Sequence, residues 1–206
     1  MKKWFLIICL SLMIAGCGSS EDMGGDEISS EEIFDMEKLK SVELSGEPVT
    51  VAGVTFRPPA EWENLGASGM RNASYRFGPI GEDQDSATLA VFFFGASEGG
   101  GVTSNMERWL SQMSLSDGKP PREIAVRQKM DVDQMTLHYM EVEGTYHASM
   151  GGRMMTPTIP KHDYLLSAAI LEAPEGNLFF KLTGPVNTAR EMNRKFQAML
   201  VNIQKE

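Results

Sequence analysis

Hydrophobic residues in the chain recur with two different periods, and each period predicts a different kind of element. After Ser104, and again after Thr188, apolar side chains return every three or four residues. This spacing places them on one side of a helix, so both segments are predicted to be amphipathic helices that pack on a sheet. The apolar positions are Met106, Trp109, Leu110 and Met113 in the first helix, and Met192, Phe196, Met199, Leu200 and Ile203 in the second.

Shorter runs of β-branched and aromatic residues, bounded by turn residues, predict strands. The predicted strands are 49–59, 71–78, 87–95, 122–130, 134–147, 164–173 and 178–184. The run 87–95 is almost continuously apolar, which is typical of a central strand buried on both faces. Hairpins are predicted across 131–133 and 174–177, and 60–65 is predicted to be a turn. The pattern predicts an α+β fold, a mostly antiparallel sheet with helices packed on its faces.

The N-terminus has the features of an export signal. Two lysines precede an apolar run at 4–15, which is long enough for a signal peptide but short of the roughly 20 residues of a membrane-spanning helix. The run ends in Ile14-Ala15-Gly16-Cys17, which resembles the lipobox of bacterial lipoproteins. In that class the cysteine sulfur receives diacylglycerol, a peptidase cuts before the cysteine, and the new amino group is usually acylated, for example with palmitate. The alternative is an ordinary signal peptide whose cleavage site happens to precede a cysteine.

Cysteine usage agrees with lipid attachment at Cys17. The only other cysteine is Cys9, which lies inside the predicted signal peptide at 1–16, so the processed chain has no partner for a disulfide. Several acyl chains would hold the protein at a membrane lastingly. Gly18 follows the cysteine, and in enterobacteria-like systems this resemblance favours the periplasmic face of the outer membrane over the inner membrane.

Composition divides the remaining chain into a tether and one domain. Residues 18–30 are small, polar and acidic, so they cannot bury enough apolar surface to order themselves. We expect the lipidated cysteine and a flexible acidic tether at 17–47, and a single globular domain at 48–206. Within the tether, Ser29 and Glu32 have the spacing of a capping box for a short helix at 33–40.

The net charge excludes two classes of partner. The chain has 19 basic and 28 acidic residues, a net charge of −9, and loss of Lys2 and Lys3 with the signal peptide leaves 17 against 28, or −11. A nucleic-acid-binding protein is expected to carry a basic face. The same charge opposes electrostatic adhesion to anionic headgroups, so the lipid itself must anchor the chain.

The glycine-rich stretch 95–101 invites two catalytic or binding interpretations. Gly95 to Gly99 match the letters G-x-S-x-G of a serine-hydrolase elbow with Ser97 as nucleophile, but that elbow needs a tight strand-to-helix turn, and helical periodicity begins only near Ser104. A phosphate cradle is disfavoured because the run contains no lysine or arginine, and because Ser104 and Glu107 have capping-box spacing. A turn followed by a helix cap is the favoured interpretation.

Two motifs carry a resemblance to a known family. One is Gly100-Gly101 with Asn105, Arg108-Trp109 and Gln112, and the other is the segment Phe179 to Pro185. Together they resemble a bacterial family of exported or membrane-anchored proteins without an established activity, whose arrangement is similar to the PsbP-like α/β/α sandwich. The resemblance covers roughly 48–206 and implies an antiparallel sheet with helices on either face. It implies no shared reaction, and the photosystem association is not carried over.

The polar residues of these motifs are the candidate interaction surface. Trp109 lies on the apolar stripe of its helix and is expected in the core, whereas Asn105 and Arg108 flank it and could bond the loop backbone or contact a ligand. Lys181 alternates with Phe180 and Leu182, so it should project from the opposite face of its strand.

A metal site is the remaining chemical option. His147, Met150, Met154 and Met155 lie close together in the sequence, and thioether and imidazole groups suit copper. The alternative is that methionine fills gaps in the core, and no pair of ligands shows a firm metal-binding spacing. No cofactor is therefore predicted, with copper binding kept as an alternative.

The sequence favours a non-catalytic module of the cell envelope. The lipobox, the acidic tether and the lack of a convincing catalytic constellation predict an extracytoplasmic, lipid-anchored protein that binds an envelope protein of unknown identity. Copper binding through the Met/His loop and hydrolysis at Ser97 are the alternatives.

Overall fold

The computed structural model describes residues 34–96, 98–149 and 158–206. The α-helices in these residues are α1 (Met36–Lys40), α2 (Val102–Leu110) and α3 (Val186–Val201), with a short 3₁₀ helix at Pro121–Glu123. The strands are β1 (Val49–Val51), β2 (Val54–Phe56), β3 (Glu63–Asn64), β4 (Ala73–Phe77), β5 (Ala87–Phe93), β6 (Met113–Ser114), β7 (Val126–Val132), β8 (Met135–Ser149), β9 (Thr158–Ala173), β10 (Gly176–Pro185) and β11 (Gln204–Lys205).

The main sheet is antiparallel throughout. Its strands follow the order β3-β4-β5-β10-β9-β8-β6, and β7 also pairs with β8 along the same outer edge. The long strands β8, β9 and β10 are consecutive in the chain and pair with one another in that order, and β9 passes into β10 through a short turn, as antiparallel neighbours can. The predicted hairpin between 164–173 and 178–184 is confirmed as β9 and β10, with the turn at Pro174 and Glu175.

Helices cover both faces of this sheet, and the alternation along β10 explains why. Phe180 and Leu182 point into the larger core beneath α3, together with Phe196 from the helix. Phe179 points to the opposite side and packs there against Trp109 of α2, with ring centroids 6.4 Å apart. Successive side chains of a strand leave opposite faces, so one apolar strand serves two cores. The predicted α+β class with a mostly antiparallel sheet is confirmed.

A second, three-stranded sheet lies beside the main one and changes the prediction for 49–59. That segment is two short strands, β1 and β2, and not one, because Ala52 and Gly53 turn the chain with φ of 58° and 75°. Left-handed conformations at both central positions are typical of the tight turns that suit hairpin twist. β11 pairs with β2 and completes this sheet.

Two further boundaries, and the burial of one strand, differ from the sequence prediction. The segment 60–65 is not only a turn, because β3 pairs with β4. The β7–β8 turn lies at Asp133 and Gln134, both left-handed, and not across 131–133. The strand β5 is buried on one face only, since Thr88 is exposed on its other side. Its apolar run predicted burial on both faces, which the structure contradicts.

The first described residues pack on the domain. Phe34 is buried, and its ring meets that of Tyr139 edge-on at 4.8 Å, while Met36 and Leu39 contact the core beneath α3. The short helix α1 begins later than predicted, and Asp35 caps it by accepting a hydrogen bond from the Lys38 backbone N–H at 3.1 Å. The predicted capping residues Ser29 and Glu32 lie outside the described residues, and the boundary at residue 48 stays a prediction.

None of the helices in the described ranges is both long and apolar enough to cross a membrane.

Candidate binding face of the sheet

A side chain from the first turn of α2 fixes the glycine loop that precedes this helix. Asn105 is buried, and its Nδ2 donates to the carbonyl oxygens of Gly99 at 2.8 Å and Gly101 at 2.9 Å. Gly99 has a φ of 86°, and a Cβ there would lie 2.7 Å from the Phe94 ring and 2.8 Å from the Phe179 ring. Only glycine fits this position without displacing those rings.

The cap of α2 differs from the prediction. Gly101 is the N-cap residue and has no side chain to accept a bond, and Ser104 Oγ instead donates to the Gly101 carbonyl at 2.9 Å. Glu107 pairs with Arg127 at 3.0 Å and does not reach back to the cap. The capping box predicted at Ser104 and Glu107 is therefore absent from this helix, and Asn105 organises its first turn.

Arg108 extends the same network toward solvent. Its Nη2 donates to Asn105 Oδ1 at 2.6 Å, which fixes the guanidinium beside the helix. The side chain is exposed, and none of the described carboxylates pairs with it. The remaining N–H donors of its guanidinium are therefore available to another group.

Lys181 lies on the face of the sheet that α2 covers, here called the α2 face. Its Nζ donates to Gln112 Oε1, just beyond the helix, and to the Tyr146 hydroxyl at 3.1 Å. The backbone carbonyl of Gln112 accepts from the His147 N–H at 2.7 Å, so the glutamine is itself held in place. Lys181 therefore projects away from Phe180 and Leu182, as the alternation indicates.

The electrostatic environment of Lys181 disfavours its charge. Burial lowers the pKa of its ammonium group to about 8, and the positive charges of Arg108 and Arg71 contribute to the same shift. A buried cation is normally paired with a carboxylate. No described carboxylate forms an ion pair with Lys181.

The α2 face is only half covered by its helix. Under α2 the sheet is apolar and buried, with Met140, Ile170 and Phe179 in one cluster. Beyond the helix, Thr88 of β5 is exposed and Thr183 of β10 is partly exposed. A depression of about 450 Å³ lies on this open part. Because these strands lie near the middle of the sheet, the opening exposes the face of the sheet rather than its edge.

Two stacked tyrosines form one wall of the depression. The rings of Tyr146 and Tyr164 lie 6.1 Å apart and nearly parallel. The Lys181 ammonium is 5.0 Å from the Tyr146 centroid, and the Lys161 ammonium is 5.2 Å from the Tyr164 centroid. Lys161 also pairs with Asp85 at 2.6 Å, and this hydrogen bond lowers the pKa of the Asp85 carboxyl. Lys161 is thus paired, whereas Lys181 is not.

Sequence reasoning missed two residues of this site. Arg71 lies in the loop before β4, and its charge acts on both Lys181 and Tyr146. Ser74 is buried on β4, and its Oγ has no hydrogen-bond partner in the described structure. The alternation in ASYRF does place Ser74 opposite Ala73 and Tyr75, but it does not indicate which helix lies over that face.

The described residues form neither the serine-hydrolase site nor the copper site that the sequence offered as alternatives. Ser97 lies outside them, and 94–101 separate β5 from α2, so the strand does not pass directly into the helix as an elbow requires. Met150, Met154 and Met155 also lie outside the described residues, while His147 Nε2 is 2.8 Å from Ser114 Oγ. No group of three or more His, Cys, Asp or Glu in the described ranges is placed to hold a metal ion.

The fold and site define an α+β sandwich with a polar opening on one sheet face. No protein-family model matches the chain, and no curated protein sequence matches it. Among solved structures, the chain is similar to the solution structure of cyanobacterial PsbP (CyanoP) from Synechocystis sp. PCC 6803. The match covers 81% of this chain and 95% of that chain, at 13% identity and a TM-score of 0.48. The likeness concerns the arrangement of helices and strands, and no residue role follows from it.

Proposed function

We propose that this chain is a lipid-anchored protein of the cell envelope whose domain binds a partner protein through the open part of the α2 face. It acts by binding and not by catalysis. The anchor is Cys17, and the acidic segment that follows gives the domain reach from the membrane. Gly18 favours the periplasmic side of the outer membrane.

The observation that carries this proposal is the uncovered centre of the main sheet. On the opposite face, α3 covers the sheet and completes the larger core. On the α2 face, by contrast, Thr88 and Thr183 leave polar positions open beside the Tyr146–Tyr164 stack. Tyrosine and arginine side chains are enriched in protein interfaces, where each aromatic ring supplies a large contact area.

Site-specific crosslinking in intact membranes tests the proposal. A photoreactive phenylalanine analogue at Thr88 lies on the open face, whereas the same group at Arg194, whose side chain is 78% exposed on α3, lies on the other side of the domain. We expect a discrete adduct from position 88 that weakens when Lys181→Met and Arg108→Gln are added, and none from position 194. Equal adducts from both positions, or none from position 88, would contradict the proposal.

A further inference from the structure

A row of paired side chains crosses four strands of the main sheet and includes Lys181 and a buried serine. Ala90 pairs with Ser74 on one side and with Lys181 on the other, and Lys181 pairs in turn with Ala168. Directly paired residues of antiparallel strands share a face, so all four side chains lie on the α2 face. The residues paired with the lysine on either side are therefore alanines, whose short side chains carry no polar group.

The polar groups of Lys181, Arg71 and Ser74 still have hydrogen-bonding capacity. An ammonium has three donors, and Lys181 uses two of them on Gln112 and Tyr146. Arg71 is exposed and forms no ion pair within the described residues. Ser74 is only 4% exposed, yet its hydroxyl is unpartnered in the described structure. A buried hydroxyl without a partner is destabilising, so a group that bonds to it would offset that cost.

The signs of the charges are unusual for this chain. The protein has a net charge of −9, yet the charges of Arg71 and Arg108 both act on Lys181, and no described carboxylate pairs with any of the three. Like charges in a partly buried site repel one another, and that repulsion disappears when an anion lies among them. A guanidinium presents a planar fork that matches two oxygens of one anion, and a lysine adds a point charge.

We propose that Lys181, Arg71 and Arg108 bind a single oxyanion group, a carboxylate or a phosphate, with Ser74 as an additional donor. This inference rests on the proposed function, because it concerns the same face of the sheet. It adds the chemical group that this face would recognise. A carboxylate would come from an acidic side chain of the partner protein, and a phosphate from a small ligand. In both cases the recognised group is one negatively charged set of oxygens at the end of α2.

Anion titration of the purified full-length protein in non-ionic detergent tests this inference. Inorganic phosphate and a short glutamate-rich peptide are the two probes, added at constant ionic strength and followed by ¹H–¹⁵N spectra. We expect saturable shifts of amides near Ser74, Gln112 and Lys181. Lys181→Met should weaken the apparent affinity about tenfold or more, because a hydrogen bond to a charged group is worth about 1.5–3 kcal/mol.

Two further variants keep the test decisive. Lys129→Met removes an exposed lysine on β7 and should leave both titrations unchanged. Arg108→Gln removes an exposed cation, so it reports on the site even if Lys181→Met fails to fold. Shifts that never saturate, or that are the same in the wild type and in Arg108→Gln, would overturn the inference.

The outcomes also separate this inference from the proposed function. Anion binding without a crosslinked partner at position 88 supports the oxyanion site and contradicts the protein-binding role. A crosslinked partner without binding of either probe supports the role of the face and contradicts the oxyanion site. Binding of the peptide but not of phosphate identifies the partner's acidic side chains as the source of the group.

Discussion

At the scale of single residues, Lys181 is a lysine whose surroundings disfavour its positive charge. It lies partly buried, bonded only to the neutral groups of Gln112 and Tyr146, while Arg71 and Arg108 supply charge of its own sign. Burial and repulsion both favour the neutral amine. Such an arrangement lowers stability, and perturbed groups of this kind concentrate at functional sites.

The shift in the pKa of Lys181 predicts how stability depends on pH. The folded-state pKa is about 8, below the ordinary value of 10.5, so between these values the unfolded chain binds more protons than the folded chain. The free energy of unfolding should therefore rise with pH across this window. Relative to Lys181→Met, the wild type should gain about 1–3 kcal/mol between about pH 7 and pH 10.

Chemical denaturation at a series of pH values measures this difference. The groups that face Lys181 are Arg108, Arg71 and the Tyr146 hydroxyl, and burial raises the pKa of that tyrosine. Because the wild type and Lys181→Met both contain these groups, the difference between them cancels most of what these groups contribute to the pH dependence. Lys129→Met serves as the control for loss of an exposed lysine. Parallel pH profiles for the wild type and Lys181→Met would show that the lysine is not electrostatically destabilised.

At the scale of elements, the β7–β8 hairpin depends on a turn that one of its two central residues does not favour. Asp133 and Gln134 both have positive φ, 46° and 64°. Asparagine or aspartate followed by glycine is the preferred pair for this turn. Asp133 meets that preference and also accepts the Lys205 backbone N–H at 2.7 Å, which ties β11 to the turn. Gln134 does not meet it.

Gln134→Gly should therefore stabilise the protein. Glycine adopts the left-handed conformation without the steric cost that a Cβ imposes, which is about 1 kcal/mol. Gln134 is exposed, so little packing is lost. We expect the free energy of unfolding to rise by about 0.5–1 kcal/mol in denaturant titrations. Gln134→Ala keeps the Cβ and should give no comparable gain; equal gains from both substitutions would disprove the turn argument.

The predicted site shows how far sequence patterns reach at this scale. The spacing of Asn105, Arg108 and Gln112 places them along one predicted helix. The alternation of β10 separates Lys181 from its apolar neighbours, so four groups of the network were recognisable from patterns. Ser74 and Arg71 were not, because they come from another strand and its preceding loop. Their proximity depends on β4 pairing with β5, which is a long-range contact.

At the scale of the whole molecule, one sheet supports two cores of unequal size. The larger core beneath α3 also includes Phe34 and Phe56, whereas the smaller core beneath α2 ends where the helix ends. The nine-residue helix α2 is about 14 Å long, too short to cover strands such as β9 and β10 along their length. The open part of the α2 face is therefore a consequence of helix length.

Attachment to a membrane is the second prediction that concerns the whole chain. If Cys17 carries the lipid, Cys17→Ser should release the protein from membranes and abolish incorporation of labelled palmitate, because buried acyl chains supply about 0.8 kcal/mol per CH₂. Detergent phase partitioning of cell fractions measures the change. Cys9→Ser is the matched control and should stay membrane-bound. Retention of Cys17→Ser in the membrane fraction at the wild-type level would contradict lipid anchoring at this residue.

The sequence by itself determined what short-range patterns encode. Periodicity located α2, α3, β4 and the β9–β10 hairpin, since helical and extended backbone each impose a repeat on apolar side chains over a few residues. The N-terminal pattern likewise predicts the lipid anchor at Cys17 without reference to any fold. Turn positions were less accurate, as at 49–59, because positive φ values depend on backbone conformation that side-chain hydrophobicity does not report.

Only the tertiary structure decided which faces are covered. The apolar run of β5 predicted burial on both sides, but Thr88 is exposed because none of the described helices covers it. The same long-range packing brings Arg71 and Ser74 to Lys181 across two strand pairings. Exposure and electrostatic environment depend on contacts between distant segments, and a local pattern contains no information about which segments meet.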